Sequence, residues 1–448
     1  MTGRESALRM LIRINEEGVL CHEALRASEE DELPPKERAL ATRLVHGTLE
    51  REITIDRILE LRTGRPVSKI KPKLRNLMRM SVYQLLFLTQ IPASAVCNEA
   101  VKLAKQFGYA GLSGFVNGVL RNIARDCEAA GGREEYLSQT EKSLPEKERF
   151  SFRYAVPSGL ADYYLRNYPE EAEEMFAAFL CDGVTSIRLN RSKGTMEELK
   201  RSLLEENTEY TEGLLPNTLR LGKNGNPGNL QAFRKGLFSI QDESSVLAGN
   251  ILPLRAGMRV LDLCAAPGGK TSHVADELKA LGGGTVLSRD ISEKKLEKIK
   301  EHIVLLGLDN VTVEAGDASA YEERFAEGFD LVLADLPCSG LGVIGRKPDI
   351  KQKTGTDDIQ ALAKLQRSIL TQAVRYIGSG GYLCFSTCTV TLEENDRNCE
   401  FLLQSGMKPV DFSEKLPEQL KKRYRNGMLQ LFPQDGTDGF FIALFQKE

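Results

Sequence analysis

The sequence predicts a multidomain protein in three parts: an all-α domain, a small α+β unit and a doubly wound α/β domain. Apolar residues recur at helical spacing as far as about residue 127. Residues 151–250 mix strand-like runs with a helical run. From about 251, short continuous apolar runs alternate with amphipathic stretches, the rhythm of a mostly parallel sheet covered on both faces. At 448 residues the chain also exceeds the roughly 250–300 residues at which a single core stops growing.

In chain order, Leu8, Leu11, Ile12 and Ile14 form a first helical stripe. Pro34 and Pro35 open a helix through Ala39, Leu40, Leu44 and Val45 that ends near Gly47. Leu74, Leu77, Met78, Val82, Leu85 and Leu86 form a third stripe. Ala100, Val101, Leu103, Ala104 and Phe107 form a fourth, stopped at Gly108, and FVNGVLRNIAR closes a helical domain placed at 1–130. Charge, Gly and polar residues crowd the next segment, so 131–150 is read as a linker. The α+β unit, 151–250, takes TSIRLN (185–190), LRLG (219–222) and LFSIQD (237–242) as strands and 196–207 as a helix. The α/β domain, 251–448, has strands at 258–263, 284–290, 311–315, 329–335, 382–387 and 440–446. Helices at 292–306, 359–377 and 393–404 lie between them. Ligands of such a sheet bind outside the carboxyl ends of its strands.

Composition narrows the class. With 41% hydrophobic and 27% charged residues the chain is ordinary for a globular protein. No apolar run reaches the about 18 residues of a membrane helix. Residues 1–13 scatter Arg4, Glu5, Arg9 and Arg13 among apolar residues and so lack a secretory signal's apolar segment. A cytoplasmic protein without a membrane partner is expected, with a monomer as the default. The nine cysteines form no Cys-x-x-Cys pair, and His22, His46, His273 and His302 lie far apart, so no metal site is expected. The net charge of −3 argues against a uniformly basic nucleic-acid binder. One run does not: Arg62–Arg79 carries seven positive charges and no acid, either a solvated helix face or a patch for phosphates.

Chemistry concentrates at the predicted strand ends. LDLCAAPGGKTSH (261–273) runs from a strand through a glycine-rich loop into a helix, and Pro267, Gly268 and Gly269 let a ligand approach the backbone closely. Two ligands fit. A nucleotide phosphate would use Lys270 and Thr271, but a phosphate loop wants Gly where this chain has Cys264. S-adenosylmethionine has no phosphate to cradle. Asp290 ends the next strand, roughly 20 residues on, where a carboxylate meets ribose hydroxyls. Asp317 follows the third strand, placed for an adenine edge. Each aspartate alone is equally an ordinary turn residue; with the glycine loop they describe a nucleoside pocket.

ADLPCSGLGV (334–343) and FSTCT (385–389) each put a cysteine just beyond a strand end, Cys338 and Cys388. A single cysteine is most often a small buried hydrophobe, the reading given to Cys21, Cys97, Cys181 and Cys384. Two beside a nucleoside pocket suit pyrimidine methylation. Carbon 5 of cytosine is a poor nucleophile until a thiolate adds to carbon 6 and turns the ring into an enamine. Asp335 is placed to hydrogen-bond the amino and ring-nitrogen edge, and Lys270 to act by its positive field or on a phosphate. Chemistry selects one of the two cysteines without saying which. A phosphate-loop nucleotidase and a non-catalytic RNA-binding factor are the competing readings.

Residues 151–448 resemble the Nop/Sun RNA cytosine-C5 methyltransferases. The motifs are SIRLN, FSIQDESS, DLCAAPGGKT, the Asp290 strand end, GDA (316–318), DLPCSGLGV, RKPDI (346–350), STCT and DGFF (438–441). The resemblance implies a Rossmann-like class I methyltransferase domain using S-adenosylmethionine, with Cys388 as nucleophile and Cys338 assisting product release. It further implies that Cys264, Ala265, Ala266, Pro267, Gly268, Gly269, Lys270, Asp290, Asp317 and Asp335 line the cofactor and base site. The helical region, through PASAVCNEAVKLAKQFG and FVNGVLRN, is similar to the NusB antitermination factor, an RNA-binding fold. That combination implies small-subunit ribosomal RNA as the substrate. Gln434 and Lys347 stand where the family commonly has histidines, which bears on substrate fit.

Overall fold

The computed structural model describes residues 1–27, 33–181, 183–222 and 226–448. They divide into two compact units, Met1–Cys181 with Ile344–Lys353, and Asp182–Val343 with Thr354–Glu448. Among the described residues no helix is long and apolar enough to cross a membrane.

The first unit is helical. It begins with α1 (Gly3–Glu16), α2 (Cys21–Ala27), α3 (Pro35–Glu50), α4 (Glu52–Thr63), α5 (Pro72–Phe87), α6 (Ala93–Gln106) and α7 (Ser113–Ala129). Pro35 and Pro72 open α3 and α5 at the one helical position where a missing N–H costs nothing. Helix α5 is central: from Leu74 to Leu86 only Arg75 is not buried. Gly47 lets α3 close on it, since a Cβ there would lie 1.9 Å from the Tyr83 ring. The predicted stripes face this core through Leu8, Leu11, Leu44, Val45, Leu77, Ala100 and Leu103 among others, whereas Ala39 is exposed and Val101 lies outside it.

The predicted linker is not one. After a turn at Gly131 and Gly132, both at positive φ, the chain forms α8 (Arg133–Ser143) and α9 (Glu146–Tyr154). Helix α8 buries no residue, so it carries no apolar stripe and reads like a solvated loop. Then α10 (Ser158–Asn167) and α11 (Ala172–Phe179) continue the unit. Phe150, Tyr164 and Phe176 lock these helices edge to face, with centroids 5.4 and 5.0 Å from Phe176. The helical unit thus runs to Cys181, and the α+β part begins after it rather than at 151.

Residues 344–353 also belong to this unit and end in a short helix at Ile350–Lys353. The buried Asp349 carboxylate accepts the Cys21 N–H at 3.2 Å, and the buried Lys351 ammonium donates to the Glu50 carbonyl at 2.6 Å. Burial pushes the Lys351 amine down to about 8.

The second unit holds two sheets. The smaller is antiparallel, in the order β2-β3-β1-β4, from β1 (Thr185–Leu189), β2 (Tyr210–Glu212), β3 (Thr218–Leu221) and β4 (Phe238–Ile240). The helix predicted at 196–207 spans Met196–Glu205, started by a Thr195–Glu198 capping box. The larger sheet runs β11-β12-β13-β9-β8-β5-β6-β7. Its parallel part is β5 (Arg259–Asp262), β6 (Thr285–Asp290), β7 (Val311–Ala315), β8 (Phe329–Asp335) and β9 (Ile377–Thr387). Strand β13 (Phe440–Gln446) pairs antiparallel with β9. Sequence reading missed the short β10 (Lys408–Pro409), β11 (Tyr424–Arg425) and β12 (Met428–Leu431) at that side. Helices at Gly269–Ala280, Glu293–Leu306, Thr356–Tyr376 and Asp396–Gln404 alternate with the strands, giving the predicted Rossmann-like domain. The order reverses between β5 and β8, so a ligand crevice opens at their carboxyl ends.

Arg188 on β1 and Asp276 on the helix after β5 are both fully buried and paired at 3.0 Å. The sequence motif SIRLN therefore serves to fasten the small sheet to the large domain.

Candidate active site

Strand β5 ends at Asp262, and residues 263–268 form the glycine loop. The loop is held from both sides: Leu263 N–H donates to the Leu333 carbonyl at 3.0 Å and Ala265 N–H to the Arg289 carbonyl at 2.8 Å. The Ala266–Pro267 peptide is cis, and Gly268, at φ 106°, turns the chain into the helix that starts at Gly269. No side chain with a Cβ adopts that φ comfortably. Beneath the loop, burial pushes the Asp262 carboxyl up to about 7, and Thr271 donates to it at 2.6 Å.

Asp290, at the end of β6, accepts the Ala266 N–H at 3.2 Å and the Ser292 N–H at 3.1 Å. The nearly buried carboxylate thereby ties two strand ends together, with further lone pairs for a ligand hydroxyl. Asp317 is exposed beyond β7, where Ser319 caps it through its N–H at 2.8 Å and hydroxyl at 2.7 Å. Those bonds, the hydroxyl first, hold its carboxyl below the usual range. Cys264 is half-buried in the loop, and burial pushes its thiol up.

Lys270 and Asp335 meet: the ammonium lies 2.7 Å from the carboxylate and 4.9 Å from the centre of the Phe440 ring. Ser386 on β9 donates to the other Asp335 oxygen at 2.7 Å. One third of the Asp335 side chain is open to solvent. Neither Ser386 nor Phe440 was singled out from the sequence, although both sit in motifs, FSTCT and DGFF.

Strands β8 and β9 are parallel neighbours with Asp335 opposite Ser386. Their following loops carry Cys338 and Cys388, whose sulfurs stand 3.3 Å apart. Both residues are half-buried. The contact with Cys388, and then burial, push the Cys338 thiol well above its ordinary value. Gly342 N–H donates to the Cys388 carbonyl at 3.0 Å and Gly439 N–H to the Gly342 carbonyl at 2.9 Å, so three loops are sewn together. Cys21, Cys97 and Cys384 are buried, as read from the sequence, but Cys181 is exposed. It lies past the end of α11, where its thiol donates to the Ala177 carbonyl at 3.5 Å. Among the described residues no three His, Cys, Asp or Glu side chains converge as metal ligands would.

Comparison with known proteins matches the two ends of the chain separately. Residues 250–446 match the family model "16S rRNA methyltransferase RsmB/F", and residues 1–125 match "NusB family". The chain is 36% identical to the probable ribosomal RNA small subunit methyltransferase B of Bacillus subtilis, covering 99% of this chain and 98% of that one. It is 33% identical to the corresponding probable protein of Synechocystis, covering all of both. Among solved structures, that of PH0851 superposes with a TM-score of 0.80 at 25% identity over 100% of this chain and 99% of that one. NSun6 from Pyrococcus horikoshii, solved with SFG, shares the fold over 66% of this chain and 99% of that one, with a TM-score of 0.57 and 24% identity.

Proposed function

The chain belongs to the RsmB/F family of 16S rRNA methyltransferases, and from that membership we propose that it methylates carbon 5 of a cytosine in small-subunit ribosomal RNA through a covalent Cys388 adduct. The observation that carries this reading is the thiol pair at 3.3 Å, at adjacent strand ends and beside the Lys270–Asp335 pair. A methyl transfer to an already nucleophilic atom needs no cysteine; one to carbon 5 does.

S-adenosylmethionine is the methyl donor. The donor set fits it: Asp290, Asp317 and Asp335 rim the crevice, and Lys270 is already committed to Asp335. Three carboxylates repel a polyphosphate but accept ribose hydroxyls and suit a sulfonium cation, which sets aside the nucleotidase reading. Residues 264–270 with Asp290 and Asp317 would hold the cofactor, which when bound supplies an activated methyl group to carbon 5.

Cys388 attacks carbon 6 as a thiolate. Cys338, whose thiol holds its proton, donates that S–H towards Cys388 and stabilises the charge there. Asp335, oriented by Ser386 and Lys270, takes the amino edge of the flipped cytosine. Once a solvent water takes the carbon 5 proton, the C–H electron pair re-forms the carbon 5–carbon 6 double bond and the carbon 6–sulfur bond breaks. The Cys388 sulfur departs as thiolate, again against the Cys338 S–H.

The test is the position of the label. With radiolabelled S-adenosylmethionine and transcribed small-subunit RNA, digestion to nucleosides should return the label as 5-methylcytidine alone. Label in any other nucleoside overturns the reading, and none at all returns the chain to a binding factor.

We place the enzyme in the cytoplasm as a monomer, with the NusB-like unit contacting RNA. The basic run supplies fewer free charges than its sequence suggests. Arg62 pairs with Asp126, Arg75 with Glu16, and Arg79 is buried between Glu52 and Asp56. Arg65, Lys69, Lys71 and Lys73 are exposed. Changing these four to Gln should weaken RNA binding and flatten its salt dependence by roughly 0.7–0.9 in log–log slope for each phosphate no longer neutralised. An unchanged slope removes the patch from the interface.

A further inference from the structure

Glu394 is fully buried, yet its carboxylate is the meeting point of four donors. One oxygen accepts the Ser339 N–H at 2.8 Å and the Gln366 amide at 3.0 Å. The other accepts the hydroxyls of Ser339 and Thr391, each at 2.6 Å. Gln366 also donates to the Pro337 carbonyl at 2.9 Å, and Asn398 holds Gln366 at 2.8 Å. The Ser339 hydroxyl spends its single proton on Glu394, so the 2.7 Å contact with Thr389 is a bond donated by Thr389. Pro337 and Ser339 are the two neighbours of Cys338, and Thr389 is a neighbour of Cys388. The adjacent Asn395 completes the frame, accepting the Thr387 hydroxyl at 2.6 Å and donating to the Thr389 carbonyl at 3.1 Å.

We propose that Glu394 is the positioning residue of the thiol pair, a buried anion that clamps the Cys338 loop to the Cys388 loop and holds the two sulfurs in contact. An anion costs a great deal to bury, and four donors are close to the full capacity of a carboxylate. A carboxylate is therefore better suited than an amide, which accepts at one end only and would face two of the donors with its own N–H groups. The negative charge has a second effect. It opposes ionisation of Cys338 and so helps keep the proton on that sulfur while Cys388 carries the charge. The inference deepens the two-cysteine reading and rests on it for its catalytic meaning, but the geometry is testable without RNA.

Dibromobimane becomes fluorescent when both of its arms have reacted, so it reports thiols held close together. In the wild-type protein it should bridge Cys338 to Cys388, identified by peptide mass mapping and absent in Cys388→Ala. In Glu394→Gln the bridging rate should fall about tenfold or more, since small displacements of reacting groups cost that much. The pH midpoint of Cys338 alkylation by iodoacetamide should also move down, and further than in Ser339→Ala, which loosens the same loops while keeping the Glu394 charge. Glu394→Asp, which keeps the charge, should leave that midpoint near the wild-type value. If Glu394→Gln does not fold, Ser339→Ala and Thr391→Val each remove one donor and should slow bridging by smaller factors. Bridging within twofold of wild type in a folded Glu394→Gln, or in both single-donor variants, overturns the proposal. Slow bridging together with a wild-type yield of 5-methylcytidine would keep the clamp and sink the catalytic role of the pair.

Discussion

Cys388→Ala is expected to abolish methyl transfer to small-subunit ribosomal RNA, a loss on the order of ten-thousand-fold or more, the scale on which nucleophile removal acts. The variant should also form no covalent protein–RNA species on a denaturing gel. Cys338→Ala should behave differently. Its Cys388 still attacks, but the S–H that stands 3.3 Å away to stabilise the departing Cys388 thiolate is gone. The adduct should then accumulate while turnover falls. The contrast matters more than either loss, because any damaged enzyme is slow but only one with a blocked exit traps its RNA. An adduct seen in Cys388→Ala and not in Cys338→Ala would exchange the two roles.

The largest expected change in stability comes from the Arg188–Asp276 pair. Both side chains are fully buried. Asp276 accepts from the Arg188 guanidinium at 3.0 Å and from the Arg191 and Ser192 N–H groups at 2.9 and 2.8 Å, while Gln241 accepts from the Arg188 Nε at 3.2 Å. Removing one partner strands the other charge in a medium that cannot solvate it. Arg188→Met is therefore expected to cost about 3–5 kcal/mol in urea unfolding. The double variant Arg188→Met with Asp276→Leu should recover part of that, because no unpaired charge remains, while the Arg191 and Ser192 N–H groups lose their acceptor. If Arg188→Met costs under about 1 kcal/mol, solvent reaches the pair and its burial is wrong.

The parts of this protein legible in its sequence are those where one local rule dominates. Strands β5, β6, β8 and β9 are buried on both faces, so their apolar runs stand out. The chemistry of such a sheet collects at its carboxyl edge, which is why Lys270, Asp290, Asp335, Cys338 and Cys388 could be named before their positions were known. Illegible parts depend on partners distant in the chain. Helix α8 has no apolar stripe to betray it. Arg79 looks like one more surface cation until Glu52 and Asp56 surround it. Glu394 sits in an unremarked TLEEND run, and its four donors come from segments as far apart as Ser339 and Thr391. RKPDI was legible as a motif but not as a part of the helical unit, where its Asp349 takes the Cys21 N–H.

That last placement bears on how the protein is made. A ribosome extends a chain at about 5–20 residues per second, and N-terminal domains ordinarily finish folding as they emerge. Here the helical unit cannot. Its main body ends at Cys181, but Asp349 and Lys351, buried against Cys21 and Glu50, are translated far later. For roughly ten seconds or more the nascent helices wait with that surface open, while the glycine loop and the first strands of the large sheet are being synthesised. The helical unit is the first begun and among the last completed, so a ribosome stalled before codon 353 leaves both units unfinished.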